Sequence, residues 1–108
     1  MSQANEGMPP EVHKEREFMP IKVHVHLTHR RFTNGQEVVA VEGRTVGECL
    51  NHLISQFPKM EKALFTKKDK LHNNVEIYLN HTSAHPNELA KPVKDGDEIH
   101  LIIMLAGG

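Results

Sequence analysis

Residues 91–108 read KPVKDGDEIHLIIMLAGG, an almost unbroken apolar run that follows an acidic turn and reaches two glycines. Asp95-Gly96 has the chemistry of a turn, and the residues beyond it read as a strand from Ile99 to about Leu105. Successive strand residues point to opposite faces. Ile99, Leu101 and Ile103 therefore belong to one face, and His100, Ile102 and Met104 to the other. A strand apolar on both faces, followed by residues without side chains, puts the functional question at the carboxyl end.

Working outward, IKVHVHL (residues 21–27) alternates Ile21, Val23, Val25 and Leu27 against Lys22, His24 and His26. That period of two predicts a half-buried strand. Asn34-Gly35 suits a tight hairpin turn into a second strand at EVVAVE (residues 37–42). GRTVGECLNHLISQFP (residues 43–58) is the clearest helix. Thr45 and Glu48 form a capping-box pair, Val46, Leu50, Leu53, Ile54 and Phe57 recur at helical spacing, and Pro58 stops it. KMEKALF (residues 59–65) adds one further short turn. Val75, Ile77 and Leu79 alternate in a third strand, and the breaker-rich loop of residues 81–92 carries a short edge strand near residues 88–90. One amphipathic helix against half-buried strands is a two-layer α+β arrangement, and the order suggests a β-grasp: a mixed sheet of four to five strands on one main helix. Val23, Val25, Ile77, Leu79, Leu101 and Ile103 are expected to pack on Leu50, Leu53 and Phe57. Each buried side chain of this kind contributes roughly 1.5–3 kcal/mol.

The 108 residues fit one small domain. Residues 1–19 read as a flexible tail with almost no apolar periodicity, and residues 20–108 as the domain with a mobile Gly-Gly end. Thirteen basic residues against fourteen acidic ones lack the basic footprint of a sequence-independent nucleic-acid binder. No apolar stretch is long enough to span a bilayer, and the first residues carry no signal-peptide core. With a single cysteine, Cys49, the cytoplasm is the expected compartment.

The segment KPVKDGDEIHLIIMLAGG resembles the C-terminal signature of the ubiquitin-like sulfur-carrier family (MoaD/ThiS/CysO-like). Pro92-Val93, the DGDE turn, the apolar last strand and the terminal Ala106-Gly107-Gly108 all match that pattern, and NGQEVVAVEGRTVGECLNHLISQFP (residues 34–58) is similar to its first hairpin turn, second strand and helix. The resemblance covers residues 21–108. The insertion FTKKDKLHNNVEIYLN (residues 65–80) is nearest the cysteine-biosynthesis type, while Ile103-Met104 stands where the molybdopterin type has a Pro-Pro pair.

This resemblance implies a protein co-substrate with no catalytic residues of its own. The Gly108 carboxylate would be adenylated with ATP by a separate ubiquitin-activating-like adenylyltransferase and converted to a thiocarboxylate. A sulfur-accepting enzyme of cysteine, thiamine or molybdopterin biosynthesis would then take the sulfur. Ala106, Gly107 and Gly108 would thread the partner's active site, while Ile102, Met104 and Leu105 dock the sheet. The carrier is expected to be a monomer, to bind no cofactor, and to engage neither nucleic acid nor membrane. A protein modifier forming isopeptide bonds through the same terminus is the alternative, and a non-covalent interaction module a third reading.

Nine histidines are many for this length. His24 and His26 share a strand face, and a β-grasp sheet brings His100 near them, so three imidazoles could bind zinc; solvated imidazoles on an outer face are the favoured reading, with no metal expected. Cys49 reads as a small buried hydrophobe, Asp95-Gly96 as turn chemistry, residues 66–70 as a solvated loop, and Asn80-His81-Thr82 as a chance glycosylation match.

Overall fold

In the computed structural model, which describes residues 19–104, the alternation at the start of the domain produces strand β1, Ile21–His24. Val23 is wholly buried, and Val25, just past the strand, is still directed inward. The chain then departs from the expected simple hairpin. His26 accepts the Thr28 N–H on its Nδ1 at 3.2 Å and caps a 3-10 helix, Leu27–Thr33. Leu27 is consequently exposed instead of completing the inward row. Asn34 and Gly35 do take positive φ, 55° and 82°, where they end the 3-10 helix. Strand β2, Val38–Val41, follows and pairs antiparallel with β1, Val23 opposite Val39.

Helix α1, Val46–Gln56, begins as its capping sequence requires. Thr45 Oγ1 accepts the Glu48 N–H at 3.2 Å, and the Glu48 carboxylate reaches back to the Arg44 N–H at 2.8 Å. The reciprocal bond thus falls one residue before the usual capping-box position. Gly43 lets the chain enter the helix closely: a Cβ there would lie 2.8 Å from the Cys49 nitrogen. Helix α2, Met60–Leu64, fulfils the expected short turn. The polar stretch after it, expected as loop, forms a small hairpin of β3, Phe65–Lys67, and β4, Lys70–Leu71.

Strand β5, Val75–Leu79, is followed by an edge strand, β6, at Thr82–Ser83. The edge strand expected near residues 88–90 is instead a 3-10 turn, Glu88–Ala90. Strand β7, Glu98–Ile103, is slightly shorter than expected. The main sheet runs β2-β1-β7-β5-β6, with β1 and β7 parallel at its centre and β5 antiparallel to β7. Val23, Val41, Ile77, Ile99 and Leu101 from the sheet enclose a core with Val46, Leu50 and Leu53 from α1 and Met60 and Leu64 from α2. Leu79 and Phe57 pack at its margin, partly exposed. This is the β-grasp arrangement, five strands on a main helix.

Candidate functional site

Before β7 the chain makes a turn whose third residue, Gly96, has φ +84°, the conformation a type II turn needs there. The Asp97 N–H closes it onto the Lys94 carbonyl at 3.0 Å. The Asp97 carboxylate, nearly buried, accepts the Lys94 N–H at 2.9 Å and the Asn80 side-chain amide at 3.0 Å. Asn80 in turn accepts the Glu98 N–H on its Oδ1 and gives its own N–H to the Glu98 carbonyl, both at 2.9 Å. Two turns and the start of β7 are locked together by side chains that look like ordinary loop residues in the sequence.

From this anchor β7 runs through the centre of the sheet with the alternation the sequence specifies. Ile99, Leu101 and Ile103 are buried; Ile102 is 36% exposed and Met104 50%. The Met104 N–H donates to the Asn74 carbonyl at 2.7 Å, so pairing with the β5 side persists to the last described residue. The expected docking residues Ile102 and Met104 therefore share the outer face of the sheet. Val38, 40% exposed on β2 and separated from β7 by β1, is a further exposed apolar side chain of that face. The sequence reading of EVVAVE (residues 37–42) as a strand leaves Val38 unassigned; the structure makes it an outward residue, with Val39 and Val41 inward. Leu105, Ala106, Gly107 and Gly108, on which the docking and tail-threading expectations also fall, lie outside the described residues.

The histidines divide. His24 and His100 face one another across the parallel β1–β7 pair, their rings stacked at 4.1 Å with planes 8° apart. His26 is not with them, because its ring is turned aside to cap the 3-10 helix. Glu98 and His81 take its place. The Glu98 carboxylate accepts a bond from His24 Nε2 at 2.9 Å, and the His81 ring lies 5.2 Å from that of His100. His100 departs from the expected freely solvated imidazole, because its Nδ1 is buried with no hydrogen-bond partner among the described residues, whereas His81 is exposed. Burial lowers the His100 pKa, helped by the charges His24 and His81 carry when protonated, while Glu98 opposes the shift.

Cys49 is wholly buried. Burial pushes its thiol up to about 11, with the Glu48 and Asp97 charges adding to the effect. It is a packing residue, not a nucleophile, because the reactive form is the thiolate. No helix of the described residues is long and apolar enough to cross a membrane.

The comparisons agree with this geometry. The family model described as "ThiS family" matches residues 24–108. The sulfur carrier protein CysO of Mycobacterium tuberculosis is 29% identical over 93 residues, spanning 83% of this chain and all of CysO. A crystal structure of an Amycolatopsis orientalis BexX/CysO complex contains a chain that superposes with a TM-score of 0.74 at 29% identity, covering 82% of this chain and 99% of that one. The solution structure of small archaeal modifier protein 1 from Methanosarcina acetivorans superposes at 0.73 with 24% identity, over 84% and 98% of the two chains, and shares the fold. A β-grasp body whose last central strand leads to Gly107-Gly108, matched by the family model through residue 108, places this chain in the ThiS family of ubiquitin-like sulfur carriers.

Proposed function

We propose that the chain is a CysO-like sulfur carrier working in the cytoplasm as a co-substrate, with the Gly108 carboxylate as its reacting group. The observation that carries this reading is the family match through residue 108, joined to a likeness that spans the full length of CysO. A carboxylate is a poor electrophile, so activation is required. A ubiquitin-activating-like adenylyltransferase joins the Gly108 carboxylate to AMP from ATP and releases pyrophosphate. A sulfur donor of the hydrosulfide class then attacks the acyl carbon and expels AMP, leaving a thiocarboxylate. The sulfur stays tethered until an accepting biosynthetic enzyme takes it, and cysteine biosynthesis is the pathway favoured by the CysO likeness.

The body supports each step by docking. Ile102 and Met104 give the partner an apolar contact on the outer face of the last strand, with Val38 on the same face beyond β1; exposed apolar side chains grouped on one face mark interaction surfaces. Methionine adapts to different partner shapes, which suits a carrier that must visit an activating and then an accepting enzyme. Ala106, Gly107 and Gly108 enter the partner's channel, where only small side chains pass. That a CysO chain occurs in a complex with BexX is consistent with such visits.

The test is intact mass spectrometry after incubation with an activating enzyme, ATP and sulfide. The natural chain is expected to exchange one oxygen for sulfur. A chain extended by one residue beyond Gly108, or lacking Gly108, is expected to stay unchanged while keeping its circular dichroism spectrum. Thiocarboxylate formation on the extended chain would overturn the assignment. Thiol-resistant conjugates to lysines of other proteins, without the sulfur exchange, would assign the chain as a modifier instead.

A further inference from the structure

The function proposed above uses nothing of the cluster at the sheet's central seam. We propose that His24, His100 and Glu98 form a binding site for a divalent transition-metal ion of the zinc type. One ligand atom from each of the three lies within 4.8 Å of the others. Their placement follows from backbone register: His24 is opposite His100 in the parallel pair, and Glu98 precedes His100 by two residues on the same face. Imidazole and carboxylate together suit zinc and its neighbours, with ligand bonds of about 2.0–2.2 Å. A tetrahedral ion at those lengths needs donors about 3.3 Å apart. The three must close by at most about 1.5 Å, within reach of side-chain rotation.

Two further observations favour a ligand here. His100 Nδ1 is buried and unpartnered, so that ring has a nitrogen that no hydrogen bond within the described residues competes for. The cluster is also anchored. Glu98 is held at its N–H and its carbonyl by Asn80, whose amide is fixed by Asp97, and the same turn carries His81 to within 5.2 Å of the His100 ring. His81 is an exposed side chain and can supply a fourth donor; otherwise water completes the coordination, as in three-ligand zinc sites. The ion replaces the direct His24–Glu98 hydrogen bond and ties β1 to β7 two residues before Ile102. This departs from the expectation of no metal, which weighed His26 where the structure puts Glu98.

The experiment uses the untagged full chain, stripped with a chelator. Cobalt(II) titration at pH 7.5 should give one saturable equivalent with the intensified visible bands of a four-coordinate site, displaced by zinc. Zinc should also raise the melting temperature, as any ligand selective for the folded state does. His24→Gln and Glu98→Gln should each weaken binding at least about tenfold and abolish the zinc-induced rise, whereas His26→Gln should change neither. Circular dichroism of the variants confirms that they fold. Absence of saturable cobalt binding, or binding by His24→Gln equal to that of the natural chain, overturns the proposal. So does a set of histidine NMR signals that move with pH but not with zinc.

Discussion

Replacing Leu101 by Ala and, separately, Ile102 by Ala tests the register on which both the core and the proposed docking face depend. The two residues are neighbours on β7, yet Leu101 is 2% exposed and Ile102 36%. Leu101→Ala removes three carbon groups from the centre of the sheet, opposite Ile77 on β5. At about 0.8 kcal/mol per buried group the transfer loss is about 2.4 kcal/mol. The unfilled space between sheet and helix brings the total to about 3–4 kcal/mol, within the range for buried leucines. For a domain of this size that lowers the melting temperature by about 12–30 °C. Ile102→Ala, outward on the same strand, should cost about 1 kcal/mol or less, yet weaken association with the activating enzyme. Urea titrations followed by circular dichroism give the stabilities, since the chain has no tryptophan. Equal losses for the two variants, or a larger loss for Ile102→Ala, would refute the assignment of inner and outer faces.

Asp97→Ala should destabilise the protein by about 2–4 kcal/mol, because two hydrogen bonds to a charged, nearly buried acceptor disappear together; hydrogen exchange at the Lys94 and Glu98 amides should accelerate in the same variant. An unchanged urea midpoint would contradict the anchoring role of this turn. Cys49, with its thiol held at about 11 against an ordinary value of 9.0, should resist alkylation at pH 8 and react only as fast as the domain opens. The unfolded chain loses that proton first, so stability should be unaffected by this group below pH 9 and decline as pH rises from 9 through 11. Denaturant midpoints across that range, compared with Cys49→Ala, isolate the contribution; a decline equal in the variant would assign it elsewhere.

The elements legible in the sequence were those whose signal is local. Thr45 and Glu48 announce α1, and Val75, Ile77, Leu101 and Ile103 announce their strands, because capping and alternation act over a few residues. The end of β1 was not legible. The apolar alternation runs on to Leu27, but pairing stops at His24, and a periodic pattern does not record where a partner strand ends. Thr82–Ser83 is likewise a strand made by its neighbour, with no apolar alternation to reveal it. At the candidate site, Ile102 and Met104 followed from period two alone. The meeting of His24, His100 and Glu98 required the parallel register of two strands more than seventy residues apart. Alternation puts His26 on the strand face of His24, but the strand ends at His24 and the Thr28 N–H engages the His26 ring instead.

The parallel contact of β1 with β7 also orders events on the ribosome. Among the described residues the central seam of the sheet joins the first strand to the last, so a nascent chain cannot close this core until β7 has been made. A product cut short within β7 lacks the middle of the sheet, not its edge. A closed sheet is therefore the mark of a chain in which the strand that leads toward Gly107-Gly108 has been made.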